Sequence, residues 1–292
     1  MTPVPSPRLS PPAARRAALL VALAVVPLLA RPLDAQRRDR DRERTRERRT
    51  WVERCEDDGG DDSRVRHCET RPFGIRAAQG RQFRIDGGGN GGVEVVGWDR
   101  DSVDVQANIG VQARSDEDAR ALAREIRIEV RDGSITADGP ANRRGASWWV
   151  SFEVRVPRAT DLDVESSNGP LSVENVRGRM ELRTSNGPLT LTDLSGDVRG
   201  RTSNGPVTVS LAGARWDGEG LDVSTSNGPV DLTLPSDYNA HLVTGTVNGP
   251  IRVDFPVTVQ GRIDRRVETD LGAGGKTVRV VTTNGPVVVR RR

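Results

Sequence analysis

From Leu162 onward, apolar and polar residues alternate with a period of two, in short runs such as Met180-Glu181-Leu182-Arg183-Thr184 and Val207-Thr208-Val209-Ser210-Leu211. A period of two sends successive side chains to opposite faces of a β-strand, so each run predicts a short strand with one apolar face. The same corner recurs between runs. It stands at Asn168-Gly169-Pro170, Asn186-Gly187-Pro188, Asn204-Gly205-Pro206, Asn227-Gly228-Pro229, Asn248-Gly249-Pro250 and Asn284-Gly285-Pro286, with Ser or Thr two residues before each Asn. The asparagines lie 18, 18, 23, 21 and 36 residues apart. The last interval, twice the first, predicts a rung without the motif inside it.

Asn and Gly tolerate the left-handed backbone of a sharp corner. Pro cannot donate a ladder hydrogen bond and sits first after the corner. A second turn falls within the repeats at Arg177-Gly178, Ser195-Gly196 and Ala212-Gly213. Each repeat therefore predicts two short strands and two corners, and self-similarity at such a period marks a repeat architecture. Two arrangements satisfy it. In a β-solenoid each repeat is one rung and the asparagines stack in a hydrogen-bonded ladder. In an antiparallel meander or sandwich, Asn-Gly closes hairpins. A meander would accept Asp-Gly or Gly-Gly equally, so the recurring Asn favours the solenoid. The ladder predicts asparagines partly shielded from water, with Asn284 on an open terminal rung.

Upstream, Gln82–Asp86, Val93–Val96, Val103–Ala107, Ile126–Val130, Ser134–Ala137 and Trp148–Val156 read as strands. One helix interrupts them: Ser115-Asp116-Glu117-Asp118 has the form of a capping box, followed by Ala119, Leu122, Ala123 and Ile126 at helical spacing. Gly87–Gly92 is a glycine-rich turn. No Lys-Ser/Thr and no helix follow it, which removes a nucleotide site.

An exported β-chain with recurrent Ser/Thr-x-Asn-Gly-x-hydrophobic segments resembles the bacterial putative-adhesin family of unknown function. The resemblance covers roughly Gly80–Arg290 and is strongest over Leu162–Val289; the interposed helix and Leu271-Gly272-Ala273-Gly274-Gly275 fit it too. It implies a right-handed, β-helix-like solenoid at the envelope or surface, and names no ligand and no catalytic residue. Pro after every Asn-Gly is a stricter form than that family generally has.

Composition agrees with a thin core. Aromatic residues are 3% of the chain and glycines number 31, as many short strands and turns require. Arg15-Arg16 precede the apolar run Ala17–Ala30, and Leu33-Asp34-Ala35 precedes Gln36. This is the layout of a secretory signal peptide, and the run is short of the ~20 residues of a membrane span. Without residues 1–35 the chain holds 40 basic and 40 acidic residues, so no global charge favours nucleic acid. Residues 37–50 hold eight arginines and four acids with nothing apolar to bury, a solvated linker. Cys55 and Cys68 read as one disulfide in an exported chain. Free thiols are one alternative, and a metal pair with His67 matches no zinc pattern. The acids Asp57, Asp58, Asp61 and Asp62 lack the alternation of a calcium loop.

The expected organisation is thus a signal peptide over 1–35, the linker over 36–50, a disulfide-bearing lead-in over 51–79, a β region with one helix over 80–160, and the Asn-Gly-Pro repeat over 161–292. The expected function is an exported, non-enzymatic envelope or surface module, periplasmic or extracellular, that binds an envelope, surface or polysaccharide ligand through the Ser/Thr positions beside each Asn. It has no membrane span after cleavage and needs no cofactor. A carbohydrate-active β-helix enzyme is the alternative. Its candidate carboxylates, Asp161, Asp163, Glu165, Glu174, Glu181, Asp193 and Asp197, scatter without a distinctive pair, and His67 and His241 stand alone.

Overall fold

The computed structural model describes residues 50–57, 64–76, 82–131, 133–255 and 265–292. The expected signal peptide, the linker before Thr50 and most of the acidic turn lie outside the described residues. In chain order the elements begin with helix α1 (Trp51–Asp57) and strands β1 (Val65–Arg76), β2 (Phe83–Asp86), β3 (Val93–Trp98) and β4 (Ser102–Ala113). Helix α2 (Asp116–Glu125) leads to β5 (Arg127–Arg131), β6 (Ser134–Asp138), β7 (Ser147–Pro157), β8 (Leu162–Ser166), β9 (Leu171–Glu174), β10 (Arg177–Thr184) and β11 (Leu189–Thr192). Then come β12 (Ser195–Asn204), β13 (Val207–Ser210), β14 (Gly220–Asn227), β15 (Val230–Leu234), β16 (Ala240–Asn248), β17 (Ile251–Val253), β18 (Arg266–Leu271), β19 (Thr277–Asn284) and β20 (Val287–Arg291).

These strands form two 10-stranded sheets. Sheet A runs β1-β4-β7-β3-β9-β11-β13-β15-β20-β17, and sheet B runs β18-β16-β19-β14-β12-β10-β8-β2-β6-β5. Each Asn-Gly-Pro corner carries the chain from a strand of sheet B to a strand of sheet A, and the repeat strands pair in parallel with those of neighbouring rungs. The fold is all-β and β-solenoid-like, with open sheet ends. The corners close no hairpins, which removes the meander.

Among its described residues, the interval from Asn248 to Asn284 holds no motif-less rung. It holds β18, which pairs antiparallel with β16. The last rung, β19 with β20, inserts between its predecessors: β19 lies between β14 and β16, and β20 between β15 and β17.

Equivalent residues stack from rung to rung. Leu162, Met180, Val198, Leu221, Val278 and Leu242 form one inward column of sheet B; Leu171, Leu189, Val207, Val230 and Val287 form one of sheet A. All are buried. With neighbouring strands about 4.8 Å apart, aliphatic side chains fill such columns without rings, which accounts for the low aromatic content.

The first rung, β2 with β3, joins the solenoid directly, pairing in parallel with β8 and β9. β1, which precedes this rung, and β4 and β7, which follow it, form the antiparallel β1-β4-β7 end of sheet A. Ser115 caps α2 by accepting from the Asp118 N–H at 3.1 Å, and Ala119 and Ala123 turn into the core. The sequence reading places β2, β3, the helix and β5 to β7 within a few residues, stops β4 short at Ala107 where it continues to Ala113, and does not read α1 or β1. Cys55 and Cys68, 13 residues apart with Cα atoms 6.2 Å apart, form a disulfide that fastens α1 to β1.

Candidate functional site

The corners stack into two hydrogen-bonded ladders. In the outer one, each Asn Nδ2 donates to the Asn Oδ1 of the adjacent rung: Asn248 to Asn284 at 2.7 Å, Asn284 to Asn227 at 2.8 Å, Asn227 to Asn204 at 2.8 Å, Asn204 to Asn186 at 2.8 Å and Asn186 to Asn168 at 2.7 Å. Three features differ from expectation. The asparagines are exposed, not shielded. Asn284 is an interior rung, and Asn248 heads the ladder. None of the six has a positive φ; the left-handed non-glycine residues are Asn175 and Asp193, at the second turn.

The inner ladder was not anticipated. Ser166, Thr184, Thr202, Thr225, Thr282 and Thr246 are buried. Each hydroxyl donates to a glycine carbonyl of the adjacent rung, at distances from 2.6 Å for Ser166 to Gly91 up to 3.2 Å for Thr184 to Gly169. A β-carbon on Gly187, Gly205, Gly228 or Gly249 would lie 2.0–2.1 Å from the neighbouring corner's carbonyl oxygen, and Gly169 and Gly285 are nearly as tight. At Gly169, Gly187, Gly205, Gly228 and Gly249 close stacking, and not backbone handedness, requires glycine; at Gly285 a φ of +155° adds to it. The expected Ser/Thr face is therefore only half correct: one hydroxyl of each motif points inward, and Ser167, Ser185, Ser203, Ser226 and Thr283 point out.

The glycine-rich turn belongs to the same array. Asn168 Nδ2 donates to Gly89 O at 2.6 Å and to Asn90 Oδ1 at 3.3 Å, and the Val93 N–H donates to Pro170 O at 2.8 Å. Asn90-Gly91-Gly92-Val93 is a corner with Gly in the place of Pro. The signal was Asn-Gly followed by a small residue and Val.

The outer face of sheet B carries a concavity of about 650 Å³. Its central row crosses five strands in register: Arg201 on β12, Ser224 on β14, Val281 on β19, Gly245 on β16 and Arg266 on β18. Small residues form the floor and arginines close both ends. Arg265, Arg279, Val243, Ser226, Thr283 and Val247 also line it, with Thr225, Thr246 and Thr282 beneath. Val247, 51% exposed, is one of two large exposed hydrophobic residues among those described. Arg266 pairs with Glu268 at 2.8 Å and Arg279 with Asp222 at 2.5 Å, whereas Arg201 has no ion pair among the described residues. Sequence reasoning missed this trough because its residues come from five strands spread over the last third of the chain.

None of the seven candidate carboxylates lines the trough. Asp163 and Glu181 pair with Arg183, Asp197 with Arg199, Glu165 with Arg84, and Asp193 with Arg292. Asp161 accepts the Arg179 N–H at 2.7 Å. Glu174 lies on the outer face of sheet A near Glu94, whose carboxyl is pushed up by burial and then by the charges of Glu153 and Glu174. His67 contacts Glu69 at 3.5 Å, and His241 lies between Asp270 at 2.8 Å and Glu268 at 3.4 Å. Among the described residues no cluster of three or more His, Cys, Asp or Glu has the form of a metal site, and no helix is long and apolar enough to cross a membrane.

Known structures with a similar arrangement are distant. A putative cell adhesion protein from Clostridium sporogenes is 11% identical, with a TM-score of 0.47, covering 77% of this chain and 100% of its own. A putative adhesin from Bacteroides fragilis is 12% identical, with a TM-score of 0.35, over 77% of this chain and 97% of that one. A putative lipid binding protein from Parabacteroides distasonis is 10% identical, with a TM-score of 0.34, over 76% and 96%. No curated protein matches the sequence. Residues 94–290, spanning β3 to β20 and thus all six Asn-Gly-Pro corners, match one family throughout, and the chain belongs to the Toastrack DUF4097 family.

Proposed function

We propose that the protein is an exported, non-enzymatic binding module of the cell envelope or surface, adhesin-like in role. The carrying observation is the in-register row from Arg201 to Arg266, a trough set in a face whose strands are held together by the two corner ladders. Ligand contact on such a face needs no moving part, and stacked repeats suit extended partners. The disulfide supports an oxidising compartment, and the leader before Gln36 supports export. We take the coil to be right-handed, the sense favoured wherever a strand crosses over to a parallel neighbour. The enzyme reading has less support, because its candidate carboxylates are mostly paired with arginines on open strand faces.

Cell fractionation, followed by a screen of the purified protein on an array of glycans and envelope components, tests this. The expected result is protein in the envelope or medium, beginning near Gln36, with a reproducible array ligand that it leaves chemically intact. Protein confined to the cytoplasm, or turnover of the ligand, overturns it.

A further inference from the structure

The trough of sheet B has a chemistry of its own. Strand spacing of about 4.8 Å puts Arg201 and Arg266, four strands apart, at about 19 Å between backbones. The guanidinium of Arg201 is unpaired among the described residues, and its planar fork matches a carboxylate in two parallel hydrogen bonds. Between the arginines the floor offers the hydroxyls of Ser224, Ser226 and Thr283 beside the short apolar surface of Val281 and Val243. Hydroxyls alternating with small apolar patches are what a sugar ring presents in return.

The surroundings narrow the choice. Asp222 and Glu268 flank the trough, and the next row mixes both signs in Asp163, Glu181, Arg199, Asp222 and Arg279. Most arginines around the trough are therefore matched by acids on the same face. An anionic membrane surface is read by a broad basic field or by several inserted large apolar groups; here most arginines are matched by acids, and Val247 is the single large exposed apolar side chain among the described residues of the face. No aromatic residue lines the trough, so a neutral sugar lacks a stacking platform, and charge must select the ligand.

We propose that this trough binds an acidic polysaccharide, with carboxylates of one chain held by Arg201 and Arg266 and the intervening sugars lying across β14, β19 and β16. The rung spacing is close to the rise of one pyranose along a 1,4-linked chain, so successive rings lie over successive strands. The inference rests on the protein being a binding module, and it names the ligand class of that module.

The test is titration of the purified full-length protein with oligogalacturonides long enough to cross four strands, with dextran and phosphatidylglycerol vesicles as comparisons. Binding is expected to weaken with salt and to fall at least about tenfold in Arg201→Glu, the scale of one charge-assisted contact. Ser224→Glu, which places a carboxylate on the floor, should have the same effect. Arg252→Glu, on the exposed face of sheet A, should leave binding unchanged, with melting temperatures confirming that all three variants fold. No binding, binding that survives Arg201→Glu and Ser224→Glu, equal binding of dextran, or tighter binding to the vesicles each overturns the proposal. If the array ligand is instead neutral and insensitive to Arg201, the acidic specificity fails while the binding role stands; if the array finds no ligand, both fail.

Discussion

At the scale of single residues, the corner separates two kinds of constraint. Asn186 donates to Asn168 and accepts from Asn204. Asn186→Asp keeps the acceptor, loses the donor and sets a carboxylate oxygen against Asn168 Oδ1. Because the site is exposed, the cost should be about 1 kcal/mol at pH 7. The new carboxyl should have a folded pKa above its unfolded value, so the loss grows as pH rises through that range and disappears below it. Asn284→Asp should cost the same, since Asn284 donates to Asn227 and accepts from Asn248. Denaturant titrations at pH 7 and pH 4 check both, and a markedly milder effect at Asn284 would contradict its interior place. Gly187→Ala acts through space: its β-carbon would lie 2.1 Å from Gly169 O, and backbone cannot yield cheaply, so the expected loss is about 3 kcal/mol. Gly213, with nothing within 4 Å and φ +74°, should lose only about 1 kcal/mol on change to Ala. Equal losses at the two glycines in chemical denaturation would show that stacking does not select them.

At the scale of elements, β18 is held to β16 by an antiparallel ladder that brings His241 opposite Asp270. The hydrogen bond to Asp270, opposed by desolvation and assisted further by Glu268, raises His241 above its ordinary value of 6.5. A raised folded pKa means that the protonated ring stabilises the fold. That contribution is fully present below 6.5 and is lost as pH rises through the folded value. Stability should therefore decline over that interval, and His241→Gln should flatten the decline. Melting temperatures measured across pH 5 to 9 in both proteins check this; parallel curves would assign the pH dependence to other groups.

At the scale of the whole molecule, the last rung is a wedge. A chain ending at Phe255 would lack β18, β19 and β20, leaving β16 and β17 without the partners they have among the described residues, β18 and β19 for β16 and β20 for β17. The loss should therefore reach residues 240–253, upstream of the cut, and leave β14 and β15 as new sheet edges. Hydrogen exchange should show amides of β16 unprotected in the shortened protein while those of β10 and β12 stay protected. Protection of β16 in that protein would mean that the pairing with β19 is not what holds it.

Local chemistry made much of this protein legible in one dimension. The period-two runs, the Asn-Gly-Pro corners and the Ser115 cap each act within a few residues, so strands, corners, one helix and a stacked asparagine ladder follow from the order of residues alone. What depends on chain segments meeting across long separations did not follow. The 36-residue interval is as compatible with a blank rung as with a strand that doubles back and a rung that inserts. Asn90 shares its ladder with Asn168 only because β2 pairs with β8 across the inserted strands and helix. The inward turn of each Thr, and the need for Gly beside it, come from a carbonyl on another rung. The trough likewise exists only because parallel register aligns Arg201, Ser224, Val281, Gly245 and Arg266, residues whose side chains carry no local signal of one another. Propensity and periodicity describe a strand by itself; register between strands is decided by which buried columns fit together, and that is a property of the folded sheets.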